Sequence, residues 1–182
     1  MPITPFHFGP GAALKAAAPR HFSFTVFAFS QVLIDLEPVG FFLFTGDPIH
    51  PYLHTYLGAT LVFLISWWAG HPACEWALRA WNAWLSPGQA RWLACAPKIS
   101  RHAAAAGAFV GAYSHVAIDS IMHVDMLPFA PFSGARPWLH VVSVDTLHLG
   151  CIAAGIIGVA GLLLWRWLEL RAKSFDNRQE AP

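Results

Sequence analysis

Charge is what this sequence has least of. Charged residues make up 12% of the chain, against roughly 25% in a soluble domain, so most of its surface is not built for water. The 11 Lys and Arg are balanced by 10 Asp and Glu and form no basic stripe, which argues against a nucleic-acid partner. Cysteine is equally sparse. Cys74, Cys95 and Cys151 show neither paired nor metal-ligand spacing, which excludes a disulfide framework and a cysteine-based zinc site; all three read as structural. No internal repeat or low-complexity tract is present. The N-terminus also lacks the short basic region that precedes the apolar core of a cleaved signal peptide. His7 and several Pro and Gly residues stand there instead.

What fills the chain is apolar: 56% hydrophobic residues and a mean hydropathy of +0.48 over 182 residues. A length of this order suits one domain. Four stretches, near residues 22–45, 52–70, 102–122 and 147–168, approach the ~20 residues needed to cross a hydrocarbon core. The expected fold is therefore all-α, a polytopic membrane bundle of about four transmembrane helices in a single domain over residues 1–173. A polar tail follows over residues 174–182. Lys15, Arg20, Arg79, Arg91, Lys98, Arg101, Arg166, Arg171, Lys173 and Arg178 fall on one side of these spans and Arg136 alone on the other. The positive-inside bias makes the first side cytoplasmic, so both ends are expected inside. Residues 72–98 carry Trp76, Trp81, Trp84 and Trp92 and read either as a helix at headgroup level or as a packed loop. Residues 123–146 form a Pro- and Phe-rich outer loop, in which Phe129, Phe132 and Trp138 are candidates for a lid.

Ionisable residues inside spans are costly and usually mark function. Here they are sorted by side. His50, His54, His115, His123, His140 and His148, with Asp35, Glu37, Asp47, Asp119, Asp125 and Asp145, all lie toward the outer ends of spans or in outer loops. His21, His71 and His102 sit at the inner interface and read as boundary residues. The sharpest pattern is His115-x-x-x-Asp119-x-x-x-His123. Residues four apart share a helix face, so His115 and Asp119 can hold one ion from one side. His123 is turned by about 80° from His115 and fits a neighbouring metal or a supporting position. His50 and His54 enter the second span on the same side, and Asp35 on the first can complete the set. Imidazole with carboxylate suits zinc, iron or manganese. A hydrogen-bonded structural pair is the alternative for His115 and Asp119 taken alone. Asp47 and Asp125 read as solvated loop carboxylates, with Asp125 left open. Asp145-x-x-His148 fits either a supporting position near the metal or a helix N-cap.

Four short motifs occur in order: Thr4-Pro5-Phe6-His7-Phe8-Gly9-Pro10-Gly11, Ile34-Asp35-Leu36-Glu37-Pro38, His50-Pro51-Tyr52-Leu53-His54-Thr55 and Gly111-Ala112-Tyr113-Ser114-His115-x-x-x-Asp119. Over roughly residues 2–150 this resembles the bacterial inner-membrane metal-dependent hydrolases (the YdjM-like group), which are distantly similar to helical zinc-dependent phospholipase C. The resemblance implies ligands at His7, Asp35, His54, His115 and Asp119, with Glu37 and His50 nearby. Two motifs depart from the family pattern. Pro-Asp-x-Asp is Ile34-Asp35-Leu36-Glu37 here, and His-Arg-Gly-x-x-His is His50-Pro51-Tyr52-Leu53-His54, without the arginine. His7 also conflicts with the simple topology, which leaves it on the cytoplasmic side. Either it is not a ligand, or residues 8–19 re-enter the membrane and return it to the outer half.

The expected function is a metal-dependent hydrolase of the bacterial inner membrane, with its site facing the periplasm. One or two zinc ions, or another divalent metal, would activate water against a phosphoester or lipid-like substrate, with Glu37 or Asp119 as general base. The expected partners are the lipid bilayer and that amphiphilic substrate. A non-catalytic metal-handling or transport protein is the alternative. A haem-binding electron carrier fits less well, because Asp119 one turn from His115 has no role in bis-His ligation.

Overall fold

The computed structural model describes residues 5–44 and 50–179, with side chains to residue 172. Every regular element among them is helical. A 3-10 turn (Pro5–His7) leads into α1 (Phe8–Ala17), followed by α2 (Phe24–Phe44), α3 (Tyr56–Ile65), a π-helical stretch (Ser66–Gly70), α4 (His71–Trp84), α5 (Pro87–Leu93), α6 (Arg101–Met122) and α7 (Val144–Gln179). Three helices, Phe24–Phe44, Tyr56–Trp84 and Val144–Ala172, are long and apolar enough to cross a membrane. The helix expected as the third span, α6, is not among them. It is rich in Ala and Gly and carries His115 and Asp119, and its buried face is covered by α2 and α3.

Small residues on α6 decide how the bundle closes. A Cβ on Gly107 would fall 2.3 Å from the Ser23 carbonyl oxygen, and one on Gly111 1.9 Å from Ser30 Oγ. The α2 backbone therefore lies directly against α6, as small residues permit in membrane helix pairs. Two core clusters stack along this contact. Val26, Cys74, Ala104 and Ala108 join α2, α4 and α6 at one level. Ile34, Ala59, Val62, Ala112, Val116 and Met126 join α2, α3 and α6 at the next. His115 and Asp119 continue the same α6 face beyond them.

Two sequence expectations change. The 52–70 span does not end at Gly70: α3, the π-helical stretch and α4 form one 29-residue helix to Trp84. At 1.5 Å per residue it reaches about 43 Å, longer than the ~30 Å hydrocarbon core. The π-helical stretch directly precedes Pro72, whose missing N–H an α-helical ladder cannot use. Residues 72–98 are thus not one helix but the end of this long helix, then α5 with its Ser86/Gln89 capping box, then extended chain. The second change concerns the C-terminus, where α7 runs through Gln179 rather than stopping near residue 168.

The N-terminal segment resolves the His7 conflict. α1 and α2 form a hairpin whose turn is tied by Lys15 Nζ, which donates to the carbonyls of Pro19 and Phe22. The chain descends about 15 Å from His7 to Ala17 and rises about 16 Å from Phe24 to Asp35, returning both side chains to one level. The reading that leaves His7 at the opposite end from the other candidates is therefore corrected. α1 is clamped onto α7 by another small-residue contact: a Cβ on Gly9 would meet the Cys151 carbonyl oxygen at 1.9 Å, and one on Gly158 the Ala12 carbonyl carbon at 2.3 Å.

Candidate metal centre

Four segments converge at one end of the bundle. α6 supplies His115 and Asp119 one turn apart, α2 supplies Gln31, Asp35 and Glu37, and the 3-10 turn supplies His7. The segment before α3 supplies His50 and His54. His7, His54, His115 and Asp119 are all at most 3% exposed, and Asp35 is buried with them.

The histidine nitrogens meet the carboxylates at close, regular spacings. His7 Nε2 lies 3.1 Å from Asp119 Oδ1, and His115 Nε2 lies 3.2 Å from Asp119 Oδ2. His115 Nε2 is 3.4 Å from Asp35 Oδ1, and His54 Nε2 is 3.7 Å from Asp119 Oδ2. Yet His7 Nε2, His54 Nε2, His115 Nε2 and Asp119 Oδ1 are buried without a hydrogen-bond partner. They are close but not aimed at one another. Ligands at 2.0–2.2 Å from a tetrahedral ion are separated by about 3.3–3.6 Å along each edge, and these nitrogen–oxygen separations of 3.1–3.7 Å bracket that range. Three overlapping trios describe the set: His7, His115 and Asp119; Asp35, His54 and His115; His50, His54 and Asp119.

Behind the ring nitrogens stand the groups that orient them. His54 Nδ1 donates to Glu37 Oε2 at 3.0 Å, which turns His54 Nε2 inward. His115 Nδ1 lies 2.5 Å from Gln31 Oε1, while Gln31 Nε2 donates to the Gly111 carbonyl at 3.2 Å. His50 Nδ1 donates to Asp125 Oδ2 at 2.8 Å. Partners of this kind fix the tautomer of metal-binding histidines.

Glu37 is placed differently from the sequence expectation. Its Oε1 accepts from the backbone N–H groups of Tyr52 and Leu53 at 2.8 Å each. Its Oε2 accepts from Leu53 at 2.9 Å and His54 at 3.3 Å, besides the His54 ring. Both oxygens are thus engaged behind His54, and Glu37 is not positioned as a base facing the cluster. It shapes the loop that delivers His54. Thr55 then caps α3 by accepting from Gly58 N at 2.9 Å.

Other expectations divide. His123 lies just past α6 with its ring 4.6 Å from that of His50, and Asp125 is engaged by His50 rather than merely solvated. Burial raises the Asp125 pKa, but the hydrogen bond and charge of His50 outweigh it and leave the carboxyl below its ordinary range. Burial holds the His123 imidazole below its ordinary value, against the opposing pull of Asp119. His148 stacks on Phe6 at 4.3 Å and joins none of the trios. Ser143, not Asp145, caps α7, accepting from Thr146 N at 3.2 Å. Asp47 lies outside the described residues. Phe129 and Phe132 line a cavity of about 570 Å³ with Tyr56 and Tyr113. Tyr113 is turned some 200° around α6 from His115, so this part of the expected lid covers the far side of α6. His71, expected as a boundary residue, donates to the Ile99 carbonyl at 2.9 Å.

Gln31 was not among the expected site residues. Its signal was available: an amide in an apolar helix, four residues before Asp35 and hence on the same face. No protein-family model, curated protein or solved structure matches this chain.

Proposed function

We propose that this chain is a membrane-embedded metal-dependent hydrolase whose divalent ion, zinc by its ligand chemistry, is held by His7, His54, His115 and Asp119 with Asp35 alongside. The observation that carries the reading is three buried ring nitrogens and one Asp119 oxygen left without hydrogen-bond partners, in a cluster whose nitrogen–carboxylate separations are 3.1–3.7 Å, with His54 and His115 turned inward by Glu37 and Gln31 behind them. Edge-to-face contacts of His115 with His7 at 4.6 Å and His54 at 5.2 Å favour a small ion over a porphyrin between them. When bound, such an ion supplies Lewis-acid polarisation and draws the pKa of a water toward 7.

The protein's own groups do the rest. Asp119 touches three histidines and acts in holding them together. Asp35, whose side chain is 12% exposed against 5% for Asp119, is the carboxylate better placed to take a proton from water. The apolar level beneath the site, Ile34, Val62, Ala112 and Val116, keeps water from passing through the bundle. The positive-inside bias puts the site toward the periplasmic face of a bacterial inner membrane, with α6 as a fourth crossing. In this arrangement α1 is a re-entrant half-helix with Lys15 and Arg20 at its inner tip. Irregular and short helical segments are tolerated at that depth where protein covers them. A site near the outer ends of the spans suits an amphiphilic phosphoester whose chain stays in lipid.

Detergent-purified protein is expected to carry at least one zinc or similar ion per chain by elemental analysis, and to cleave a phospholipid-like ester. Chelator should abolish cleavage and added zinc should restore it. His115→Ala and Asp119→Ala should lose the ion. Protein that is folded and metal-free, or metal-loaded but inert across lipid and phosphoester panels, would overturn the hydrolase reading.

A further inference from the structure

The cavity between α3, α6 and the Pro- and Phe-rich loop has chemistry of a different kind from the metal centre. Its volume of about 570 Å³ falls in the range of small-molecule sites, and none of its lining residues is Asp, Glu, Lys, Arg or His. A phosphate or a metal ion would find no compensating charge there. The walls are pinned by the protein's own bonds. Tyr56 N donates to the Pro128 carbonyl at 2.8 Å, and Phe132 N and Ser133 N donate to the Phe129 carbonyl at 3.0 and 3.1 Å. The Tyr56 ring lies 5.3 Å from that of Phe129 and 6.1 Å from that of Tyr113. Leu57 is at once a wall of the cavity and an exposed residue of α3. Exposed Leu61 and Leu64 continue its stripe along a helix long and apolar enough to cross a membrane. The cavity therefore joins the bilayer-facing surface, at the end of that helix where the chain leaves His54.

One polar pair interrupts the apolar lining. Thr60 Oγ1 donates to the Tyr56 carbonyl at 2.8 Å, which uses its only hydrogen. Its 2.8 Å contact with the Tyr113 hydroxyl is then donated by Tyr113, whose hydrogen is used in turn. What Tyr113 Oη has left is lone pairs, so it accepts and cannot donate. The Tyr56 hydroxyl is paired with the Trp138 indole, which is not part of the lining. We propose that this cavity binds an uncharged membrane lipid with a free hydroxyl, of the diacylglycerol class. Its acyl chain lies against Leu57, Phe129 and Phe132, and its hydroxyl donates to Tyr113 Oη. A phosphodiester headgroup is excluded twice, since it brings no hydrogen and finds no cation. Thr60 stands four residues into α3, about 6 Å from its start, and tyrosines at such a boundary suit the polar level of a lipid. Tyr113 is on the far side of α6 from His115, so the site is separate from the metal centre and holds whatever that centre does.

The test uses competitors that differ by one hydrogen-bond donor. Detergent-purified protein is labelled with a diacylglycerol carrying a photoactivatable diazirine on one chain, and the crosslinked residues are mapped by mass spectrometry. Unlabelled diacylglycerol and its O-methyl ether then compete with the probe. Wild-type labelling should fall on residues 56–60 and 128–133. The alcohol should compete at about three- to tenfold lower concentration than the ether, which is the effect of one net hydrogen bond. Tyr113→Phe removes the acceptor and should erase this preference by weakening the alcohol. Thr60→Val leaves the Tyr113 hydrogen unclaimed, so it should erase the preference by strengthening the ether. Both substitutions keep the side chain's shape, and melting temperature in detergent checks the fold. Wild-type labelling elsewhere would overturn the site. Equal competition by alcohol and ether in wild type, which needs no variant, would overturn the hydroxyl assignment, as would a preference kept in both folded variants.

Discussion

Replacing Glu37 by Gln separates a positioning role from a catalytic one. The carboxylate collects three backbone N–H groups and the His54 ring N–H, at 2.8 to 3.3 Å. Glutamine keeps the volume but offers one acceptor oxygen and places an amide NH₂ against donors. Hydrogen bonds to a charged group contribute about 1.5–3 kcal/mol each, and the loop can relax only in part, so one to two such bonds are forfeited. The loss falls on the geometry of His54. Removing the partner behind a metal-binding histidine typically weakens metal binding 10–100-fold, or about 1.4–2.8 kcal/mol. A general base removed in the same way would instead lower the rate 10²–10⁴-fold with metal affinity intact. The assay is a competitive zinc titration of Glu37→Gln against wild type, with the rate measured at saturating zinc. The expected result is weakened binding and a rate within about tenfold of wild type once the ion is restored. Unchanged zinc affinity with a rate loss of a hundredfold or more would refute the positioning argument and return Glu37 to the base role. A double-mutant cycle with His54→Ala adds a second reading, since coupling should be strong only if Glu37 acts through that ring.

Gln31→Leu should cost about tenfold or more in zinc affinity, because His115 Nδ1 loses its acceptor at 2.5 Å; Gln31→Glu should recover part of it, and equal affinity in all three proteins would contradict the assignment. Gly111→Leu forces a side chain into Ser30 Oγ and the Phe27 carbonyl, so it should destabilise by at least the ~1–3 kcal/mol typical of overpacking, seen as lower yield and melting temperature in detergent, while Gly40→Leu, with open space around it, should not. Reporter fusions within residues 86–98 and after residue 178 should be cytoplasmic and one within residues 133–137 periplasmic; a periplasmic signal after residue 178 would reverse the assigned orientation.

What the sequence made legible was the part set by periodicity. His115 and Asp119 stand four apart on a helix, and no packing arrangement that buries one of them separates the other. Helices α2 and α6 begin and end within two residues of the expected spans, since Ser100 caps α6 and apolar content bounds α2. What was not legible depends on main-chain geometry. Pro72 reads as a helix boundary, yet the π-helical stretch before it removes the conflict and the helix continues. His7 is 108 residues from His115, and only the hairpin brings it back. Glu37 looks like a free carboxylate in a list of residues. Its partners are backbone N–H groups of a loop, which have no signature in the sequence. Asp125 was open for the same reason, since its neighbour His50 lies 75 residues away.

The charge balance of the buried centre links these observations. Three carboxylates are buried at one level of an otherwise apolar bundle. Glu37 is compensated by backbone dipoles and the His54 ring. Among the described residues, the ion-pair partners of Asp35 and Asp119 are all histidines. Two buried carboxylates facing only neutral imidazoles would carry a desolvation cost of several kcal/mol each. Protonating the histidines is one way to offset it, but protonated rings would point their Nε2–H groups along hydrogen bonds to the carboxylates. The Nε2 atoms of His7, His54 and His115 make no such bond. A divalent ion offsets both charges and needs the rings neutral, lone pairs inward, which is the orientation that Glu37 gives His54 and Gln31 gives His115. On the metal reading, the same groups that would hold the ion also hold this end of the bundle together, with α1 joined to the others through His7. It follows that chelation should lower the melting temperature of the wild type, and should do so much less in His115→Ala, where the ion and its linkage to folding are already gone.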